Sequence, residues 1–289
     1  VNFIEAKASE VRVKLFCIDP SYLLAEAVKR GKTAVFFSAT LTPLSYFIDI
    51  LGGSTEDYNI SLRSPFDDKK LCLLVNDSVS TKYRKRESSY DSIVEVIKTT
   101  VDQKIGNYIV YFPSYKYMNE VYYRFTEKYT GMSTMLQQSA MSEEERELFL
   151  ESFKPGAEKT LVCFGVLGGI FSEGIDLKGD RLIGAIIVGV GLPQVSTEQD
   201  IIMNYFTRKN GMGYENAYMY PGMNKVLQAS GRVIRSDSDI GLVLLVDERF
   251  SDREYRCLFP KHWEHNKRVR SLKDLKQELN IFWDYNRLK

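Results

Sequence analysis

The stretch NYIVYFPSYKYMNEVYYRFTEKY, Asn107–Tyr129, decides the fold. After Asn107 it runs through five apolar or aromatic residues with no polar alternation, the pattern of a strand covered on both faces. PSY interrupts the run, and Met118, Val121, Tyr122, Phe125 and Tyr129 then fall on one helical stripe. A doubly covered strand feeding an amphipathic helix is half of a parallel βαβ unit.

The same alternation recurs on both sides. VRVKLF (11–16), TAVFFS (33–38), LCLLV (71–75), TLVCF (160–164), LIGAIIVGV (182–190) and IGLVLLV (240–246) are short and rich in β-branched or aromatic residues, and all read as strands buried on both faces. Ile93, Ile97, Val101 and Ile105 form another helical stripe, and Ser142 with Glu145 predicts a capping box opening a helix over 143–153. The fold class is therefore α/β, a parallel sheet flanked by helices with right-handed crossovers. A polar stretch from Gly52 to Asp68 reads as a hinge, the one domain boundary expected.

Composition sets the limits on function. With 289 residues, 44% hydrophobic and 27% charged, the chain can bury a large core in one domain or two. Lys plus Arg number 39 against 38 for Asp plus Glu, so a nucleic-acid partner has to be met by local patches and not by a global field. Cys17, Cys72, Cys163 and Cys257 lie far apart with no C-x-x-C spacing, which argues against a zinc ribbon or clustered iron–sulfur site, and they are expected to be buried thiols. No membrane span and no export signal is expected, which places the chain in the cytoplasm, or in the nucleus of a eukaryote. Val246-Asp247-Glu248 is expected to be an exposed strand end, and His262 and His265, lacking a third ligand, to lie on a surface helix.

Ligands of open parallel sheets bind at the carboxyl ends of the strands. The loops there are SATLTP after 33–38, PSY after 107–112 and GVLGGIFSEGIDL after 160–164, and QASGRVIR (228–235) sits on the helix preceding 240–246. FFSATLTP (36–43) resembles superfamily 2 helicase motif III, YFPSY (111–115) motif IV, FSEGIDL (171–177) motif V and QASGRVIR motif VI. Their wording and order are similar to the XPD/DinG branch of DNA helicases. VRVKLFCIDPSYLL and GLVLLVDERF extend the likeness over nearly the whole chain.

The resemblance implies a RecA-like (P-loop NTPase-like) second motor domain. Residues 1–60 would end the first motor domain, 61–260 would form the second with a helical insert at 192–226, and 261–289 would be a helical extension. No Walker A lysine or Walker B carboxylate precedes SATLTP, so ATP and Mg2+ are expected to be bound mainly by an upstream motor domain of the same protein, and any iron–sulfur cluster lies outside this chain. The expected partner is single-stranded DNA, with 5′→3′ movement in repair or replication.

Residue roles follow from that resemblance. Arg232 and Arg235, one helical turn apart, would reach a nucleotide on the facing domain, with Gln228 one turn earlier orienting water or phosphate and Gly231 allowing close approach. Asp176, Gly174 and Glu173 would sense the nucleotide and link it to DNA, and Ser38 and Thr40 would couple the two motor domains. Ser114 and Ser172 would contact DNA phosphates, and Tyr115 would pack or stack on a base, while the compact basic cluster holding Lys82, Arg84 and Arg86 reads from its charge as a DNA or interdomain contact. Plainer readings stand beside these: arginines that cap carbonyls or pair with Asp237 and Asp239, tight turns at SEGID and PSY, and a catalytically inactive DNA- or protein-binding module of the same fold.

Overall fold

The computed structural model describes residues 2–7, 10–174 and 176–287. Strands β1 (Asn2–Lys7) and β2 (Glu10–Leu15) form an antiparallel hairpin. Helices α1 (Ser21–Val28) and α2 (Leu44–Ile50) follow. The chain then alternates through β3 (Leu71–Asn76), α3 (Arg86–Val101), β4 (Asn107–Phe112), α4 (Tyr115–Lys128), β5 (Ser133–Leu136), α5 (Glu143–Glu151), β6 (Leu161–Val166), the short α6 (Ile170–Glu173) and β7 (Gly184–Val188). After α7 (Thr197–Asn210) and a π-helical turn, Glu215–Met219, come α8 (Tyr220–Ser230), β8 (Gly241–Val246), α9 (Arg253–Arg256), β9 (Lys267–Val269) and α10 (Leu272–Arg287).

The chain divides into two compact units. Val1–Ser61 with Pro193–Tyr220 makes one, and Leu62–Leu192 with Pro221–Lys289 the other. The second holds a seven-stranded sheet of order β5-β6-β4-β7-β8-β3-β9, parallel throughout. Period-two alternation splits each strand between two layers. Tyr108, Val110, Phe112, Phe164, Ile186 and Leu244 enter a core completed by Ile93 and Ile97 of α3, Val121 and Phe125 of α4, and Leu275 and Leu279 of α10. Phe164 lies at its centre, with the rings of Phe112, Tyr122 and Phe125 at 6.1, 5.2 and 5.5 Å. Ile109, Tyr111, Cys163, Ile187 and Val243 on the opposite face are equally buried, so these strands are covered twice.

Local signals act as their chemistry requires. Ser142 Oγ accepts from Glu145 N at 3.2 Å while Glu145 Oε2 accepts from Ser142 N at 2.7 Å, closing the capping box of α5. The excursion 193–220 leaves and re-enters the sheet unit where two glycine backbones touch. A Cβ on Gly191 would stand 2.6 Å from Gly222 O, and one on Gly222 2.6 Å from Val190 O, so neither position admits a side chain without backbone movement.

Several expectations need correction. Val11–Leu15 of VRVKLF lie in β2, but in the hairpin and exposed throughout, because arginine and lysine between the apolar residues cannot be buried on either face of a parallel sheet. TAVFFS is not a strand: Val35 and Phe37 are 77% and 90% exposed, and the segment pairs with no described strand. Ile105 is off the α3 stripe, since the helix ends at Val101 and closes with a tightened turn, Gln103 N to Thr100 O at 3.3 Å. Cys72 and Cys163 are buried, whereas Cys17 and Cys257 are exposed. Asp247 is no exposed strand end: it is fully buried, bound by Arg249 at 2.7 and 3.0 Å and capping Thr81 N at 3.0 Å. His262 lies on a short 3-10 helix, Lys261–Trp263, and His265 on the turn after it; both are half-buried, with His265 Nε2 at 2.9 Å from the Leu71 carbonyl.

Candidate functional site

β4 and β6 are neighbours, so the loops leaving their carboxyl ends lie side by side. The β6 loop is pinned from three directions. Tyr111 Oη, on buried β4, donates to the Phe171 carbonyl at 2.7 Å, and the Phe171 ring stacks on Phe149 of α5 at 4.1 Å. Burial pushes the Tyr111 phenol well above its usual range, which keeps it a neutral donor. Arg232 Nε donates to the Ser172 carbonyl at 3.1 Å, and Arg235 Nε meets Asp176 Oδ1 at 3.0 Å. Both arginines thus converge on residues 171–176.

They do so from a turn, not from a helix. α8 ends at Ser230, and Arg232 N and Val233 N bond back to Ala229 O and Ser230 O at 3.2 and 3.3 Å. Gly231 is the first residue past α8, and its N–H bonds Leu227 O at 2.9 Å. The turn is held by Asp239, which accepts from Arg235 N at 2.6 Å, Ser236 N at 2.8 Å, Ser236 Oγ at 2.6 Å and Gly179 N at 3.1 Å. Asp239 was foreseeable as a partner for an arginine side chain. It binds the arginine backbone instead, which frees the guanidinium for Asp176.

Asp176 is half exposed and sits between Arg235 and Lys178, the latter at 3.4 Å. The Arg235 hydrogen bond, with Lys178 beside it, holds its carboxyl below the usual carboxylate range. Arg235 uses only Nε there, and its two terminal amino groups make no hydrogen bond among the described residues. A guanidinium anchored at one edge and open at the other is suited to clamp a second anion. Gln228 is half-buried on α8, one turn before Arg232. Gly174 closes α6, its N–H on Ile170 O at 3.2 Å, and the Glu173 side chain lies outside the described residues.

The expected nucleic-acid residues separate into those that present a polar group and those that do not. Ser114 caps the 14-residue α4, accepting from Tyr117 N at 3.4 Å, so its hydroxyl hydrogen stands at a helix N-terminus where anions are favoured. Lys82 is 52% exposed and paired with Glu248 at 2.8 Å, and Arg84 is exposed. Ser172 is a correction: it is fully buried and its Oγ is bonded to Gly169 O at 2.9 Å, so the hydroxyl cannot reach a phosphate. Arg86 is half-buried, with its guanidinium over the Tyr117 and Tyr83 rings at 5.0 and 5.5 Å and its Nε bonded to Thr81 O. Tyr115 packs, taking a hydrogen bond from Gln137 Nε2 at 3.0 Å.

Gln137 escaped the sequence reading altogether. Buried just past β5, it also accepts from Val166 N at 2.9 Å, linking the β4 and β6 loops. In the other unit, Ser38 is exposed and Thr40 half-buried, and the two are bonded to one another, with Thr40 N on Ser38 Oγ at 3.2 Å and the hydroxyls 3.3 Å apart. No group of three or more His, Cys, Asp or Glu among the described residues is arranged to hold a metal, and no described helix is long and apolar enough to cross a membrane.

Comparison with known proteins gives these features a family. The ATP-dependent DNA helicase DinG of Photobacterium profundum is 29% identical over 78% of this chain. The general transcription and DNA repair factor IIH helicase subunit XPD/RAD3 of Saccharomyces cerevisiae is 26% identical over 86%. The chain spans about a third of either relative, 33% and 34% of their lengths. Two solved XPD structures, one described as apo and one as the helicase, superpose with TM-scores of 0.67 and 0.69 at 20% identity, over 88% and 87% of this chain and 52% and 45% of theirs. They share its parallel sheet flanked by helices, a RecA-like fold. The helicase C-terminal domain family is matched over residues 97–266, more than half of the sequence, from the end of α3 past the arginine turn to the edge of β9. That span holds the contacts by which Arg232 and Arg235 reach the β6 loop, and the chain belongs to this family, in its XPD/DinG-like superfamily 2 branch.

Proposed function

We propose that this chain is the C-terminal motor half of an ATP-dependent DNA helicase of the XPD/DinG type. The convergence of Arg232 and Arg235 on residues 171–176 carries the reading. Arg235, held by Asp176 through Nε, presents its open edge to a triphosphate bound by an upstream motor domain, which also coordinates Mg2+. Arg232, tied to the Ser172 carbonyl, keeps the β6 loop and the arginine turn in one frame, and Gln228 orients the attacking water. Relatives about three times as long as this chain leave room for the partner domain. Ser38 and Thr40 couple hydrolysis to its movement.

Single-stranded DNA runs over the carboxyl ends of the strands. Ser114 at the α4 N-terminus takes one phosphate, while Lys82 and Arg84 supply positive charge after β3. Movement is 5′→3′, in the service of repair or replication. The decisive variant is Arg235→Ala in the full-length protein. DNA-stimulated ATP hydrolysis falls by about three to five orders of magnitude, as for the loss of an arginine finger, while DNA affinity is retained. Turnover at the wild-type rate would remove the finger role and favour a binding module of the same fold.

A further inference from the structure

β5 is only four residues long, and the sheet outlasts it. Its last backbone bond to β6 is Gln137 N to Phe164 O at 2.9 Å, after which the chain turns away. The next β6 amide on that side is Val166 N, buried, and no β5 carbonyl is left to receive it. Gln137 Oε1 takes that place at 2.9 Å, so a side chain completes the ladder where the backbone stops. Its Nε2 donates to Tyr115 Oη at 3.0 Å, at the start of α4. One primary amide, 3% exposed, therefore ties the loop leaving β4 to the loop leaving β6.

The surroundings are shaped to that amide. A Cβ on Gly165 would stand 3.1 Å from Gln137 Oε1, and a Cβ on Gly169 3.1 Å from Nε2. Both approaches are closer than ordinary contact, so glycine at each position leaves the space the carboxamide fills. The amide cannot be exchanged for a hydrocarbon of equal volume without orphaning a buried N–H.

We infer that Gln137 is a positioning residue, which sets the separation between the Ser114 loop and the 165–176 loop, the two loops that grip DNA and the arginine turn. This rests on the helicase function proposed above and adds a residue that touches neither nucleotide nor DNA. Its loss loosens one loop against the other, so it weakens the grip on DNA more than the chemistry at the triphosphate.

The test is steady-state ATP hydrolysis by the full-length protein against rising oligo-dT. Gln137→Met keeps the volume and removes both hydrogen bonds, and it raises the half-activating oligo-dT concentration about tenfold while kcat at saturating oligo-dT stays within about twofold. Tyr115→Phe removes only the hydroxyl at one end of the brace and moves the same constant in the same direction by about threefold. Thermal melts accompany both. A purely structural role lowers the melting temperature and leaves the half-activating concentration of the folded protein at its wild-type value, which overturns the inference. So does a fall in kcat with no change in that concentration. If Gln137→Met does not fold, Tyr115→Phe decides by the same criterion. A wild-type protein without DNA-stimulated hydrolysis overturns the helicase reading, and this inference with it.

Discussion

Asp239 is 2% exposed and binds four donors, three of them backbone amides. Burial on its own would raise the carboxyl, but the bonds from Ser236, Arg235 and Gly179 outweigh it and hold the group below its ordinary value. A depressed folded value means the carboxylate stabilises the fold above the unfolded value, near pH 4, and that this stability is lost as pH falls through the folded value. Asp239→Asn should therefore cost about 1–3 kcal/mol in denaturant unfolding at pH 7, and the gap from wild type should close toward pH 3. A gap of the same size at both pH values would refute this account. Arg232 and Arg235 were legible in the sequence because two arginines three apart beside a glycine stand out along one segment, whereas Asp176 entered through the family resemblance. Asp239 was legible only as a partner for an arginine side chain, and Gln137 not at all, because each acts on a backbone group distant in sequence: Asp239 reaches Gly179, and Gln137 reaches Val166. A polar residue among other polar residues at a turn carries no local mark of such a partner.

Continuous apolar runs made the central strands readable. β3, β4, β6, β7 and β8 fall within a residue or two of where LCLLV, NYIVYF, TLVCF, LIGAIIVGV and IGLVLLV place them. The edges were not readable. β5 is four residues beginning Ser-Thr, and β9 is Lys-Arg-Val, too short and too polar for periodicity to register, as befits sheet edges that must resist pairing with another chain. TAVFFS misleads in the opposite way: it has the composition of a core strand, but composition cannot supply the neighbour whose carbonyls and amides a strand needs. Within the sheet, packing dominates the energetics. Phe164→Ala removes the ring at which Phe112, Tyr122 and Phe125 meet, and a loss of about 3–5 kcal/mol is expected in chemical denaturation. A cost below about 1 kcal/mol would show that the site collapses to fill the void.

At the scale of the molecule, the chain visits its two units unequally. The N-terminal unit takes the hairpin, α1, α2 and the excursion 193–220, while the sheet unit is built from the segments on either side of that excursion. Expectation put the insert 192–226 within the sheet domain, and its first and last residues do belong there. Removing 193–220 and joining its ends with a short glycine linker should leave a sheet unit that still melts in one cooperative transition, read by circular dichroism, and a broad, non-cooperative melt would contradict this. The expectation comes from Gly191 and Gly222, whose backbones lie in contact where the excursion departs and returns. A segment whose two ends meet backbone to backbone can be lengthened or shortened without any strand having to shift its register.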